Sequence, residues 1–253
     1  MWCGAPRREG YRLNLVIVRL ANVYGEYCSK VVATILCMAR VYAYLKEEMK
    51  WLWTKDLRTH TVHVTDVARA LWHAADWYTH GKKGWDDSTM GSTPLFNIVD
   101  HGDTCDLSPP PQPIFPPNSL TPQTPAQGTL QKHISSIFGI KTGFHGTIVS
   151  SFARLNLGSA VDEENDEVLQ PWGDLLAEAG ITRPGPINPY LDNELVKDDD
   201  FSIDGSRFEK VTGFCYLVPE ITEEALREVI SSYQRLNWWP PMDLAEKGRN
   251  GHS

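Results

Sequence analysis

The run Leu13–Leu20, LNLVIVRL, constrains the fold more than any other stretch of the chain. It is short, rich in β-branched residues, and apolar at consecutive rather than alternating positions. That pattern predicts a strand buried on both faces, as in a parallel sheet with helices on either side. The run ends in Ala21-Asn22-Val23-Tyr24-Gly25, where Asn and Gly predict a loop. From Ser29 to Met49 the residues Val32, Ile35, Leu36, Ala39, Tyr42, Leu45 and Met49 recur at three- and four-residue steps, the spacing of an amphipathic helix.

The same alternation continues. Thr61–Val64 is a second strand candidate. Thr65 follows as an N-cap, with Asp66 in the first turn of a helix whose inner stripe is Val67, Ala70, Leu71, Ala74, Ala75 and Tyr78. Gly81–Gly91 reads as loop and Leu95–Val99 as a buried strand. Gln127–Phe138 reads as helix, Lys141–His145 as a short strand, and Asp162–Ala179 as helix interrupted near Pro171. Phe201–Ile203 is a short strand candidate. Ser206–Val211 is a short helix closed by Gly213. Thr222 caps a last helix with inner face Ala225, Leu226, Val229, Ile230 and Tyr233. Strand and helix in turn predict an α/β fold.

Composition excludes several classes. The chain has 253 residues, 42% hydrophobic and 22% charged, and no apolar run near the ~18 residues of a membrane-spanning helix. A net charge of -8 argues against a nucleic-acid partner, since phosphate contacts need clustered Lys and Arg. Five cysteines at positions 3, 28, 37, 105 and 215 form no close pair, which predicts free thiols in a reducing, cytoplasmic setting. The N-terminus lacks the apolar core of a secretion signal. The acidic runs Asp162–Glu167 and Asp198–Asp200 read as solvated faces. Asp86 and Asp87 lack partners at metal-ligand spacing, so no metal site is expected.

Four segments resemble the extended short-chain dehydrogenases, the NAD-dependent epimerase/dehydratase family. Val16–Gly25 (VIVRLANVYG) looks like that family's hhRPxNVYG strand and loop, with Leu20 in place of Pro. Thr61–Ala75 (TVHVTDVARALWHAA) is similar to its VHVxDVAxA segment. FNIVD at Phe96–Asp100 and the closing unit Phe201–Tyr233 follow in the family's order. The resemblance is to the second half of such proteins. It implies the C-terminal part of a Rossmann-like doubly wound sheet plus a small, mostly helical substrate domain. It also implies an NAD or NADP cofactor, a small hydroxylated substrate such as a nucleotide sugar, no nucleic-acid or membrane partner, and a homodimer in the complete family protein. An alternative is a ketone or aldehyde reductase branch of the same family.

By the same resemblance, Leu20, Ala21, Asn22 and Val23 are the candidate cofactor contacts. Asn22, Tyr24, Arg58 and His63 are the candidate substrate contacts. Two family features are missing. No glycine-rich GxxGxxG turn follows a first strand; Gly139, Gly143 and Gly146 have the wrong spacing and place. No Tyr-xxx-Lys pair precedes the signature strand. Tyr42 with Lys46 and Tyr78 with Lys82 both come after it, so no catalytic residue is assigned.

The chain therefore divides into a partial Rossmann-like region with the start of the substrate domain (1–100), a proline-rich insertion (105–126), substrate-domain and closing helices (127–240), and a polar tail (241–253). Cys105–Ala126 holds eight of the 17 prolines and no basic residue. It is expected to be disordered, as an insertion or a translated intron. The reading as a whole is of a truncated enzyme, inactive by itself. Its rival is a non-catalytic remnant or interaction module, completing a partner's sheet by strand addition.

Overall fold

The computed structural model describes residues 14–102, 126–197 and 203–242. β1 (Ile17–Leu20) runs parallel to β5 (Leu95–Ile98), Ile17 opposite Leu95 and Leu20 opposite Ile98. The chain then changes partner within two residues. The Ala21 amide donates to the Ile98 carbonyl at 3.1 Å, and the Asn22 amide to the His60 carbonyl at 3.0 Å. β2 (Asn22–Tyr24) is thereby parallel to β4 (Thr61–His63), and β3 (Met49–Trp51) is parallel to β6 (Thr142–Phe144). Parallel pairs require crossovers. These contain α1 (Val32–Leu45), α2 (Val64–Thr79) and α4 (Ala126–Phe138), so the chain is a mixed α/β fold.

Apolar surface collects in two places. Helices α1, α4, α6 (Leu157–Glu178) and α8 (Glu223–Arg235) enclose one core around Leu36, Ile134, Leu175, Leu226, Tyr233 and Trp239. The other lies where α2 and α7 (Ser206–Thr212) cover one face of β1 and β5, through Ala70, Trp77, Phe96, Ile98 and Phe208. Asp66, at the start of α2, fastens the closing segment to this second core. It is fully buried, and its carboxylate accepts the Leu217 amide at 2.9 Å, the Val218 amide at 2.8 Å and the Arg69 guanidinium at 2.5 Å.

Several sequence expectations need correction. The strand of Leu13–Leu20 shortens to β1 and is not buried on both faces: Leu15, Ile17 and Leu20 are 40%, 39% and 41% exposed. Val16 and Val18 pack on the second core, β5 pairs with one edge, and among the described residues no strand pairs with the other. The expected loop after it contains β2. Helix α1 ends at Leu45 with Lys46 in the left-handed region, so Met49 falls in β3. The cap of α2 is His63, whose Nδ1 accepts the Thr65 amide, rather than Thr65 itself. Leu71 and Ala75 are exposed, and Trp77 takes the inner position, because the stripe facing the sheet is Val67, Ala70, Ala74 and Trp77. The loop at 81–91 contains α3 (Asp87–Met90), capped by Asp86.

Helix α5 (Thr147–Leu155) falls where the sequence predicts no element, and α6 continues through Pro171 because its flanks are packed by buried Val168, Trp172 and Leu175. Glu164 leaves the solvated face: it is half-buried and accepts the Tyr42 hydroxyl at 2.7 Å. Ile203 is not in a strand; Phe201 lies outside the described residues, as do Asp198–Asp200, Cys105 to Pro125 and the tail beyond Met242. Local capping is as expected at two helices. Thr222 Oγ1 accepts the Ala225 amide, and Gly213 closes α7 at φ 75°.

Candidate functional site

The carboxyl ends of parallel strands leave their last backbone groups and the following loops facing open space, which is where α/β folds bind ligands. Here a cleft of about 310 Å³ opens at the carboxyl end of β1. Leu20, Ala21 and Asn22 form its floor, at the point where the chain passes from β5 to β4. Leu57, Arg58, Thr59 and His60, leading into β4, form one wall. Glu194 and Lys197, at a 3-10 turn spanning Asn193–Val196, and Ile203 form the other.

Each wall is fixed from behind. The 3-10 turn is held where the buried Trp53 indole donates to the Val196 carbonyl at 2.7 Å, and the Glu194 amide is capped by Asp192 at 2.9 Å. Lys197 Nζ lies 2.6 Å from Glu194 Oε2, a partly exposed ion pair at the cleft rim. Behind Ile203, the Asn97 amide group donates to the Asp204 carbonyl at 3.0 Å. His60 is 2% exposed, and its Nδ1 accepts the Ile203 amide at 3.1 Å. Val31 also lines the cleft, at φ 46° and ψ -86°. A β-branched residue in that region costs of order 1–3 kcal/mol, and such strain concentrates at ligand sites.

Of the seven sequence-derived site residues, the structure brings Leu20, Ala21, Asn22 and Arg58 to this cleft. Val23 points instead to the core under α2. Tyr24 is fully buried, donates to the Glu220 carbonyl at 3.4 Å, and packs edge-on against His63 with ring centroids 5.2 Å apart. Burial, with Asp100 and Asp66 nearby, raises the Tyr24 hydroxyl well above its ordinary range, so it does not ionise near neutrality. His63 is spent on capping α2, and burial lowers its pKa. Strand alternation turns Val23 away from Asn22, while Tyr24 and His63, paired in register, are buried further along the same two strands.

Neither Tyr-xxx-Lys string reaches the cleft. The Tyr42 hydroxyl is tied to Glu164 on α6, and the Lys82 ammonium lies over the Tyr78 ring at 5.6 Å on the far end of α2. His60, Val31, Lys197 and Ile203 were not singled out from the sequence. His60 alone had a signal available, since it stands three residues before His63 in the same strand-approach segment. Among the described residues no group of three His, Cys, Asp or Glu side chains is placed to hold a metal ion. Nor is any helix among them long and apolar enough to cross a membrane.

Parallel strand pairs joined by helices, with a cleft at the carboxyl end of β1, define a mixed α/β fold. The comparisons with known proteins narrow this. Residues 2–86, about a third of the chain, match the model of the NAD dependent epimerase/dehydratase family, and the chain is similar to that family over this stretch. The match contains Leu20–Asn22, Arg58 and His60. No curated protein matches the chain. Among solved structures, a proposed epimerase from Burkholderia cenocepacia J2315 is similar at 13% identity and a TM-score of 0.43, over 88% of this chain. The chain spans about half, 48%, of that protein's length.

Proposed function

We propose that the cleft at the carboxyl end of β1 binds the reacting end of an NAD(P)-dependent system: a nicotinamide and a small hydroxyl- or carbonyl-bearing substrate. The observation that carries this reading is the convergence of Leu20, Ala21, Asn22 and Arg58 on one cleft within the stretch that matches the family. The donors fit that end of the cofactor and not its other end. The backbone amides of Ala21 and Asn22 are already used within the sheet, so a ligand would be met by side chains that line the cleft, Asn22 and Arg58 among them. Among the described residues no glycine-rich turn joins a parallel strand to a helix N-terminus, the arrangement that holds a pyrophosphate.

When bound, such a cofactor supplies hydride transfer. The chain's own residues would orient the ligand: Asn22 through its amide, Arg58 through its guanidinium at the wall, and Leu20 and Ile203 by excluding water from an apolar ring. Among the described residues that line the cleft there is no Tyr-Lys pair to transfer a proton. Titration with NADH and NADPH, followed by nicotinamide fluorescence, tests the reading. Wild type binds at least one of the two, and N22A and R58A each weaken binding about tenfold, the loss of one good hydrogen bond to a charged or polar ligand group. Unchanged affinity in both variants overturns it.

A second reading rests on the edge of β1 that no strand among the described residues shares, where Leu15 and Ile17 are exposed. An interaction module would use this edge to extend a partner's sheet. It predicts a stable complex with a longer relative and no nicotinamide binding.

A further inference from the structure

His60 joins the two walls of the cleft. Its carbonyl accepts the Asn22 amide on the floor at 3.0 Å, and its ring Nδ1 accepts the Ile203 amide on the opposite wall at 3.1 Å. An amide can donate and cannot accept, so this contact requires a lone pair on Nδ1 and hence the neutral imidazole with its proton on Nε2. We propose that His60 is a positioning residue that latches the Ile203 wall of the cleft when neutral and releases it when protonated. The ring is 2% exposed, so water does not replace the lost contact while the wall is closed.

The sign follows from which state tolerates the proton. In the closed state Nδ1 is occupied by the Ile203 amide, and in the released state the imidazole titrates near the ordinary value of about 6.5. Closure is therefore complete above that pH and weakens below it. Charged groups of the described residues around the latch are Arg58 on its own segment, Glu194 and Lys197 on the 3-10 turn, Asp204 next to Ile203, and Asp100, which accepts the neighbouring Thr61 hydroxyl at 2.5 Å. The inference rests on the cleft being the ligand site only for its consequence, which is weaker ligand retention at low pH.

The test is hydrogen exchange of the Ile203 amide by NMR, corrected for intrinsic exchange, at pH 8 and pH 6, in wild type, H60N and H60L. The pH values stay above the pI of about 5.5. Wild type loses protection about fourfold between pH 8 and pH 6, the factor set by a group of pKa about 6.5 protonating in the released state alone. H60N keeps protection at both values, because Asn Oδ1 can stand where Nδ1 stood and does not titrate. H60L loses it at both. Equal Ile203 protection in wild type at the two pH values overturns the latch, as does wild-type protection in H60L. If H60L fails to fold, wild type against H60N decides alone.

NADH titration at the same two pH values separates this inference from the reading it deepens. The exchange pattern without NADH binding upholds the latch and overturns the nicotinamide reading. NADH binding with pH-independent Ile203 protection overturns the latch alone.

Discussion

Asp66 illustrates what a single residue contributes beyond its local position. As a first-turn acid it complements the helix dipole, which the sequence conveys. Its larger role is long-range, since it accepts backbone amides 151 and 152 residues further along, and nothing local encodes that. D66A leaves two buried amides and Arg69 without their acceptor, and should cost about 2–4 kcal/mol by urea unfolding. Val31 carries the opposite sign. V31G relieves a strained φ and should stabilise the fold by about 1 kcal/mol in the same assay. His101 gives a pH dependence. Its Nε2 lies 3.0 Å from Glu209 Oε2, and that hydrogen bond raises the imidazole pKa. A raised pKa contributes stability fully below the unfolded value, about 6.5, and loses it as pH rises through the folded value. The pair is partly exposed, so screening limits the effect to under about 1 kcal/mol. Unfolding of E209Q should match wild type near pH 8.5 and fall below it near pH 6. At this scale the caps of Thr222 and Gly213 were legible because their partners lie within a turn. His60 was not, because its partner arrives from another part of the chain.

Among the elements, the first strand and the longest helix depart most from expectation. Hydrophobicity states which residues favour burial, and whether a neighbour exists to bury them is a property of the whole fold. That is why β1 reads as a core strand and yet exposes Leu15, Ile17 and Leu20. Such an edge promotes strand pairing between molecules. Wild type should self-associate at micromolar concentration in sedimentation velocity, and the I17K variant should shift the distribution toward monomer with little change in Tm. Helix α6 shows the converse, where tertiary packing overrides a local breaker. Pro171 sits between buried Val168 and Trp172, and the helix runs on. P171A restores a backbone donor and should raise stability by about 1–3 kcal/mol. Helices with a clean apolar period, such as α8, were legible to within a residue or two. Helix α5 is not legible, because its high share of Ser, Thr and β-branched residues gives it weak helix propensity.

The whole molecule places a helical core beside a small sheet core, with the cleft between the carboxyl end of β1 and the segments that follow the long helix. The α/β class followed from the alternation of elements, and the position of the cleft follows from the direction of parallel strands. What the sequence did not convey is the composition of the far wall, because Lys197 and Ile203 come to Leu20 only through the tertiary fold. Three of the seven site residues proposed by resemblance, Val23, Tyr24 and His63, lie away from the cleft because tertiary packing buries them or turns them to the core. The proposed function stands or falls on whether a nicotinamide-bearing ligand binds in this cleft. Chemical-shift mapping by NMR during addition of NADH and, separately, NADPH tests it most directly. Perturbations should centre on the amides of Leu20, Ala21, Asn22, Thr59, His60 and Ile203. Perturbations confined to other surfaces, or none at millimolar ligand, would contradict it.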